Sequence, residues 1–235
     1  GERYLLSVSA LTSPVEQGIQ AQLASIGYSP RAGVTVGASW AHAQVSDLLR
    51  TDTDPLSIGD EIRYESGILS VGASAVHGPA VLGLAIRRRT ATVDNTSGVA
   101  TSVDGGIVVD RPSRLPLRMA ASTFLATVPG GQDRRTILGA VEGYLPSRYA
   151  RGRFGLSGQR EQTGEQELFL YVAAAPGSVD LRAGLARESS FGNTFLRMRL
   201  GLGVRYAHYS VAVAREEGSS GIGASYQFVL TTVAP

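Results

Sequence analysis

From Leu196 to Tyr206 the residues alternate without interruption. Leu196, Met198, Leu200, Leu202, Val204 and Tyr206 share one parity; Arg197, Arg199, Gly201, Gly203 and Arg205 share the other. A period of two puts the two sets on opposite faces of a β-strand, whereas a helix would mix them. One face is wholly apolar and the other carries three arginines. A soluble sheet can hide that apolar face only against a second sheet. A membrane barrel turns the apolar face to acyl chains and the arginines to an enclosed aqueous interior. The pattern returns near the C-terminal end, with Ile222, Ala224, Tyr226, Phe228 and Leu230 opposite Gly223, Ser225, Gln227 and Val229.

The rest of the chain repeats this device. About fourteen strands are expected, twelve being the other count the pattern allows. The clearest outward sets are Tyr4, Leu6, Val8 and Ala10; Val34, Val36, Ala38 and Trp40; Leu69, Val71, Ala73 and Ala75; and Leu82, Leu84 and Ile86. Met119 with Ala121, Leu168 with Leu170, and Leu181 with Leu185 continue it. For the second strand the expectation is Ile19, Ala21 and Leu23 outward against Gln20 and Gln22. All ten prolines fall in connections, at a strand start or beyond the last strand, as residues without an N–H should. Connections alternate between a compact set (around Pro30, Pro79, Pro146, Pro176 and His208) and a longer polar set that includes residues 44–61, 93–98 and 216–221. Short turns on one rim and polar loops on the other are the transmembrane barrel pattern. The expected architecture is all-β: one closed antiparallel transmembrane β-barrel domain over residues 1–235, with both termini on the short-turn, periplasmic rim.

Composition removes other classes. Hydrophobic residues make up 43% and charged ones 18%, and no apolar run approaches the roughly 18 residues of a spanning helix. A barrel strand needs only about 9–11 residues. There is no cysteine, hence no disulfide and no thiolate metal site. Every one of the 22 basic residues is arginine, yet the net charge is only +2 and no basic block exceeds Arg87-Arg88-Arg89, so nucleic acid is not an expected partner. The chain opens at Gly1 without a charged and apolar leader. The expectation is therefore a mature bacterial outer-membrane protein from which a signal peptide has been removed.

Three segments, VDGGIVVDRPSRLPLRMAASTF, VDLRAGLARE and GLGVRYAHYSVAVAREEGSSGIGASYQF, resemble outer-membrane barrels of the FadL-like (long-chain fatty-acid transporter) superfamily, closest to its PorV-type branch. The resemblance covers about the C-terminal 130 residues. It implies a fourteen-stranded barrel. It also implies a partner role for another envelope or surface component. FadL-like transporters carry an N-terminal hatch that plugs the lumen. Here the first strand begins by about Tyr4, so no plug domain is expected and transport of hydrophobic substrates is disfavoured.

Candidate lumen-lining residues follow from parity: Arg87, Arg89, Arg118, Glu142, Arg182, Arg197, Arg199, Arg205 and Gln227, with Asp104 beside them. Two accounts fit them. Rings of arginine favour anions, and arginine–carboxylate pairs brace a narrow interior. Arg88 has outward parity and is expected near a rim, because arginine at mid-bilayer costs about 2–4 kcal/mol. Asp47, Asp52, Asp54, Asp60 and Glu61 could offer hard oxygen ligands to calcium, but lack the EF-hand spacing and read as an external loop. His42, His77 and His208 lack metal-pair spacing and are expected at a rim or in the lumen; no metal and no cofactor is expected. No nucleophile elbow, P-loop or H-E-x-x-H occurs, and Ser74 and His77 have opposite parity, so no enzyme is expected.

The functional expectation is a structural or partner barrel. The alternatives are a small passive channel or transporter for small solutes, anionic or hydrophobic ones included, and a soluble β-sandwich or fibre subunit. Partition separates the last from the others: a lipid-facing barrel requires detergent, and a chain that stays in plain buffer is not one.

Overall fold

The computed structural model describes residues 3–13, 18–46, 62–111, 117–127, 134–145, 151–162, 164–190, 192–218 and 223–234. They form a meander of β1 (Arg3–Thr12), β2 (Ile19–Arg31), β3 (Val34–Val45), β4 (Tyr64–His77), β5 (Ala80–Val93), β6 (Thr96–Arg111) and β7 (Leu117–Thr127). It continues through β8 (Arg134–Leu145), β9 (Arg151–Glu161), β10 (Gln166–Ala175), β11 (Val179–Ser190), β12 (Asn193–Tyr206), β13 (Tyr209–Glu216) and β14 (Ser225–Ala234). Each strand pairs antiparallel with its sequence neighbours, and β1 closes on β14 from Tyr4↔Ala234 to Thr12↔Tyr226. The result is a closed fourteen-stranded barrel with no free sheet edge.

Register identifies the two faces. Ser7, Ser25, Ser39, Ser70 and Arg87 lie directly opposite one another across β1 to β5. Leu5, Gly27, Gly37, Gly72 and Ala85 form the next row. These small and hydroxylated residues line the interior. The opposite parity carries the large apolar side chains. Leu200, Leu202 and Val204 are 40%, 46% and 48% exposed on the outer face. Among the described residues no large side chain is fully buried, so there is no dry core between two layers. The soluble β-sandwich alternative fails on this point.

Three expectations need correction. Pro30 lies within β2 rather than in a connection, at the register shift between Tyr28 and Arg31, where a bulge accommodates a residue without an N–H. Ile19, Ala21 and Leu23 face inward, because Ser25 pairs with Ser7 and Ser39 and carries the parity of β2 with it. The outer face of β2 reads Gln20, Gln22, Ala24, Ile26 and Tyr28. Its polar end lies at the long-loop rim, where Gln44 donates to Gln20 across 3.3 Å. Residues 93–98 are not a long loop. Pairing runs on to Val93↔Thr96, leaving a two-residue turn with Asp94 at φ 55°.

That hairpin also locates Arg88. Along β5 the outer face passes from Leu82, Leu84 and Ile86 to Arg88, Thr90 and Thr92, so Arg88 stands where the apolar band ends. The expected consequence is graded. Leu84→Arg, at a position 68% exposed within the band, should destabilise the barrel in phosphocholine bilayers by about 2–4 kcal/mol, and Thr90→Arg by about 0–1 kcal/mol. Urea unfolding from lipid vesicles checks the difference.

Candidate functional site: a lumen with one charged wall

The interior is chemically divided. From β14 through β1 to β4 the inner positions between Leu5 and Val76 and between Ser225 and Val233 are Ser, Thr, Gly, Ala, Gln, aliphatic or, at Tyr64, aromatic, with no charge among the described ones. From β5 to β13 the inner face carries the ionisable groups. Arg87 on β5 meets Asp104 on β6 at 2.5 Å, and Arg89 lies one inner position further along β5. Arg118 on β7 binds Asp110 on β6 through Nε at 2.7 Å and Nη2 at 3.1 Å, and its guanidinium lies 5.7 Å from the Tyr144 ring centroid.

At the long-loop end, Arg199 and Arg197 on β12 knit four strands together. Arg199 makes a bidentate pair with Glu167 on β10 at 2.9 and 3.0 Å and reaches Glu216 on β13 through Nε at 2.9 Å. Arg197 pairs with Glu188 on β11 and with Glu216 at 2.9 Å. Such charge-assisted forks are the strong class of hydrogen bond, and here they cross the barrel wall rather than its lumen. The Arg199 guanidinium also lies 5.0 Å from the Phe169 ring centroid, within cation–π range.

Glycines let the aromatic rings lie along the wall. A Cβ at Gly184 would stand 2.6 Å from the Phe169 ring and 2.8 Å from the Leu170 carbonyl oxygen. Tyr171 covers Gly155 in the same way, and its hydroxyl donates to Glu142 on β8. Phe169 and Tyr171 stack with centroids 5.6 Å apart. With a side chain at either glycine, a ring would have to move off the wall.

At the short-turn end, Asp180 on β11 receives Nε of Arg182 at 2.6 Å and Nη2 of Arg153 on β9 at 3.2 Å, with Nη2 of Arg205 on β12 at 4.0 Å. These groups line a cavity of about 590 Å³ with Tyr144, Arg151, Gln227 and the small residues Gly201, Gly203, Ala212 and Ala214. A larger cavity of about 840 Å³ lies against the serine and glycine wall and reaches Arg87 and Asp104.

All nine candidate lumen residues thus sit on strands at inner-face positions, but not as one ring. They separate into the Arg87–Asp104 pair, the Arg118–Asp110 pair, the Arg197/Arg199 lattice and the Arg182/Arg205 group. Glu142 is held by Tyr171, and Gln227 lines the short-turn cavity. Sequence reasoning missed Asp180, Arg153, Glu167, Glu188 and Glu216, which decide the charge balance. Their inner parity was a readable signal; their partners were not. His42 lies on the outer face, stacked on Trp40 at 5.9 Å, while His77 and His208 lie at the short-turn rim. The acidic stretch from Asp47 to Glu61 falls outside the described residues, and among those described no group of three potential metal ligands occurs.

The fold defines a class: a closed, fourteen-stranded antiparallel transmembrane β-barrel. No family model matches the chain, and no curated protein matches it in sequence. Solved barrels do match in shape. The chain is similar to a low-pH structure of Pseudomonas putida OprB, with a TM-score of 0.52 and 7% identity over 100% of this chain and 93% of that one. It is similar to a triple mutant of Rhodopseudomonas blastica porin, with a TM-score of 0.52 and 11% identity over 100% and 99%. CdiB from Acinetobacter baumannii gives a TM-score of 0.56 and 8% identity over 99% of this chain and 60% of that one. At these identities the likeness is one of fold.

A double-mutant cycle tests the lattice. Glu167→Gln and Arg199→Gln should each lower the urea midpoint, with a coupling energy of about 0.5–3 kcal/mol between them. Additive effects would show that the pair does not brace the wall.

Proposed function

We propose that this chain is a passive diffusion channel of the bacterial outer membrane for small hydrophilic solutes, with anions preferred. One observation carries the reading: the inner face is lined but not packed, and small residues leave cavities of about 840 and 590 Å³ against it. A barrel serving only as a scaffold gains from filling its interior, because unfilled space forfeits contact energy. The arginines that form pairs act as braces, so a preference among ions comes from those in surplus. The shape likeness to a porin supports a channel more than a dedicated partner barrel. No chemistry is assigned to the lumen, since Ser74 and His77 point to opposite faces.

The resemblance of the three C-terminal segments to the PorV-type branch supports a second role, as a barrel that binds another envelope or surface protein. Gentle purification from native membrane separates the two: a barrel that always emerges alone counts against a partner. For the channel, purified protein in planar bilayers should give stepwise currents in potassium chloride, with a reversal potential displaced toward that of chloride under a salt gradient. Silence at every voltage would remove the channel reading.

A further inference from the structure

The two ends of the charged wall differ in their balance. At the long-loop end Arg197 and Arg199 face three carboxylates, Glu167, Glu188 and Glu216. At the short-turn end the described cavity lining holds four arginines, Arg151, Arg153, Arg182 and Arg205, against Asp180 alone. Three of those guanidinium groups lie within 4.0 Å of the one carboxylate. Its side chain is only 12% exposed, so Asp180 serves as the internal anchor that gathers them. The neighbouring strand β8 adds a second carboxylate, Glu142, which accepts the Tyr171 hydroxyl and is close enough to Arg153 to share its charge.

Like charges gathered in a partly enclosed space repel one another unless an anion joins them. Arg182 meets Asp180 through Nε, and neither of its Nη groups bonds to a described residue. Guanidinium forks match the oxygen spacing of phosphate and carboxylate. Room exists because Gly201 and Gly203 carry no side chain: a Cβ there would stand 3.5 Å from Cβ of Arg182 and of Asp180 respectively, and any longer group would occupy the space. The cavity, about 590 Å³, falls within the ~300–1,000 Å³ typical of small-molecule sites.

We propose that this short-turn cavity is a binding site for polyvalent oxyanions, solutes bearing two or more negative charges on phosphate or carboxylate oxygens. With Glu142 set against Arg153, four arginines face two carboxylates, and the surplus of two positive charges is left half uncompensated by one chloride but is removed by a dianion. The site deepens the channel reading by naming the solute class. It rests on that reading for its purpose but not for its existence.

Equilibrium dialysis of the detergent-solubilised barrel against inorganic phosphate, as the dianion at low ionic strength, tests it. The wild type should bind, and binding should weaken as salt rises. The Arg153→Gln/Arg182→Gln/Arg205→Gln variant should bind at least about tenfold more weakly. Gly203→Leu, which keeps every charge but fills the cavity, should lose affinity too. Arg88→Gln, on the outer face, should bind as the wild type does. Heat-modifiable migration on gels shows that each variant is folded; if the triple variant is not, Arg205→Gln alone carries the test, since Arg205 touches Asp180 least. Absent binding, or equal binding by wild type, triple variant and Gly203→Leu, would overturn the site. Chloride current in bilayers decides the channel separately: current without phosphate binding removes the site and keeps the channel, and binding without current does the reverse.

Discussion

The ladder between β1 and β14 is the constraint on which everything else rests. In hydrocarbon an unpaired N–H or C=O has no water to turn to and costs several kcal/mol, so a sheet can span a bilayer only when it has no edge. Nine consecutive pairs, Tyr4↔Ala234 to Thr12↔Tyr226, join the two ends of the chain and satisfy that demand. Once the sheet is closed, inside and outside are defined, and side-chain parity becomes chemistry: odd and even positions of each strand are assigned either to lipid or to the lumen. A single displaced register would exchange the two sets.

Closure also sets the cost of polarity inside. A fourteen-stranded interior is too wide for its own small side chains to fill, and the rows Ser7–Ser25–Ser39–Ser70 and Gly27–Gly37–Gly72 make no attempt to fill it. Charged groups remain tolerable there because most find partners along the wall. Arg197 and Arg199 run across adjacent strands to Glu167, Glu188 and Glu216, which holds long side chains flat. Phe169 and Tyr171 lie flat for a different reason, the absence of Cβ atoms at Gly184 and Gly155. Both devices lay long side chains along the wall, and the short-turn cavity is where arginines outnumber carboxylates.

Most of the architecture was legible because period-two alternation is a local property. The outward sets on β3, β4, β5 and β12 needed only consecutive residues. The reading failed where the local rule loses its cause. At the long-loop end of β2 the outer face leaves the apolar band, so Gln20 and Gln22 point outward and Ile19, Ala21 and Leu23 inward. In residues 93–98, polar composition suggested a loop, but two strands extending past the apolar band are polar for the same reason a loop is: both meet water.

The sequence by itself determined the all-β class, the lipid-facing residues of most strands and the inward parity of the arginines, since each depends on neighbours one or two positions away. Tertiary structure alone decided which arginines are neutralised. Arg199 meets Glu167, thirty-two residues distant, and Arg153 meets Asp180, twenty-seven distant, because only one strand of the closed sheet lies between the partners, β11 in the first case and β10 in the second. Coulomb attraction acts over a few ångströms of space, and only register and closure convert separation along the chain into that distance.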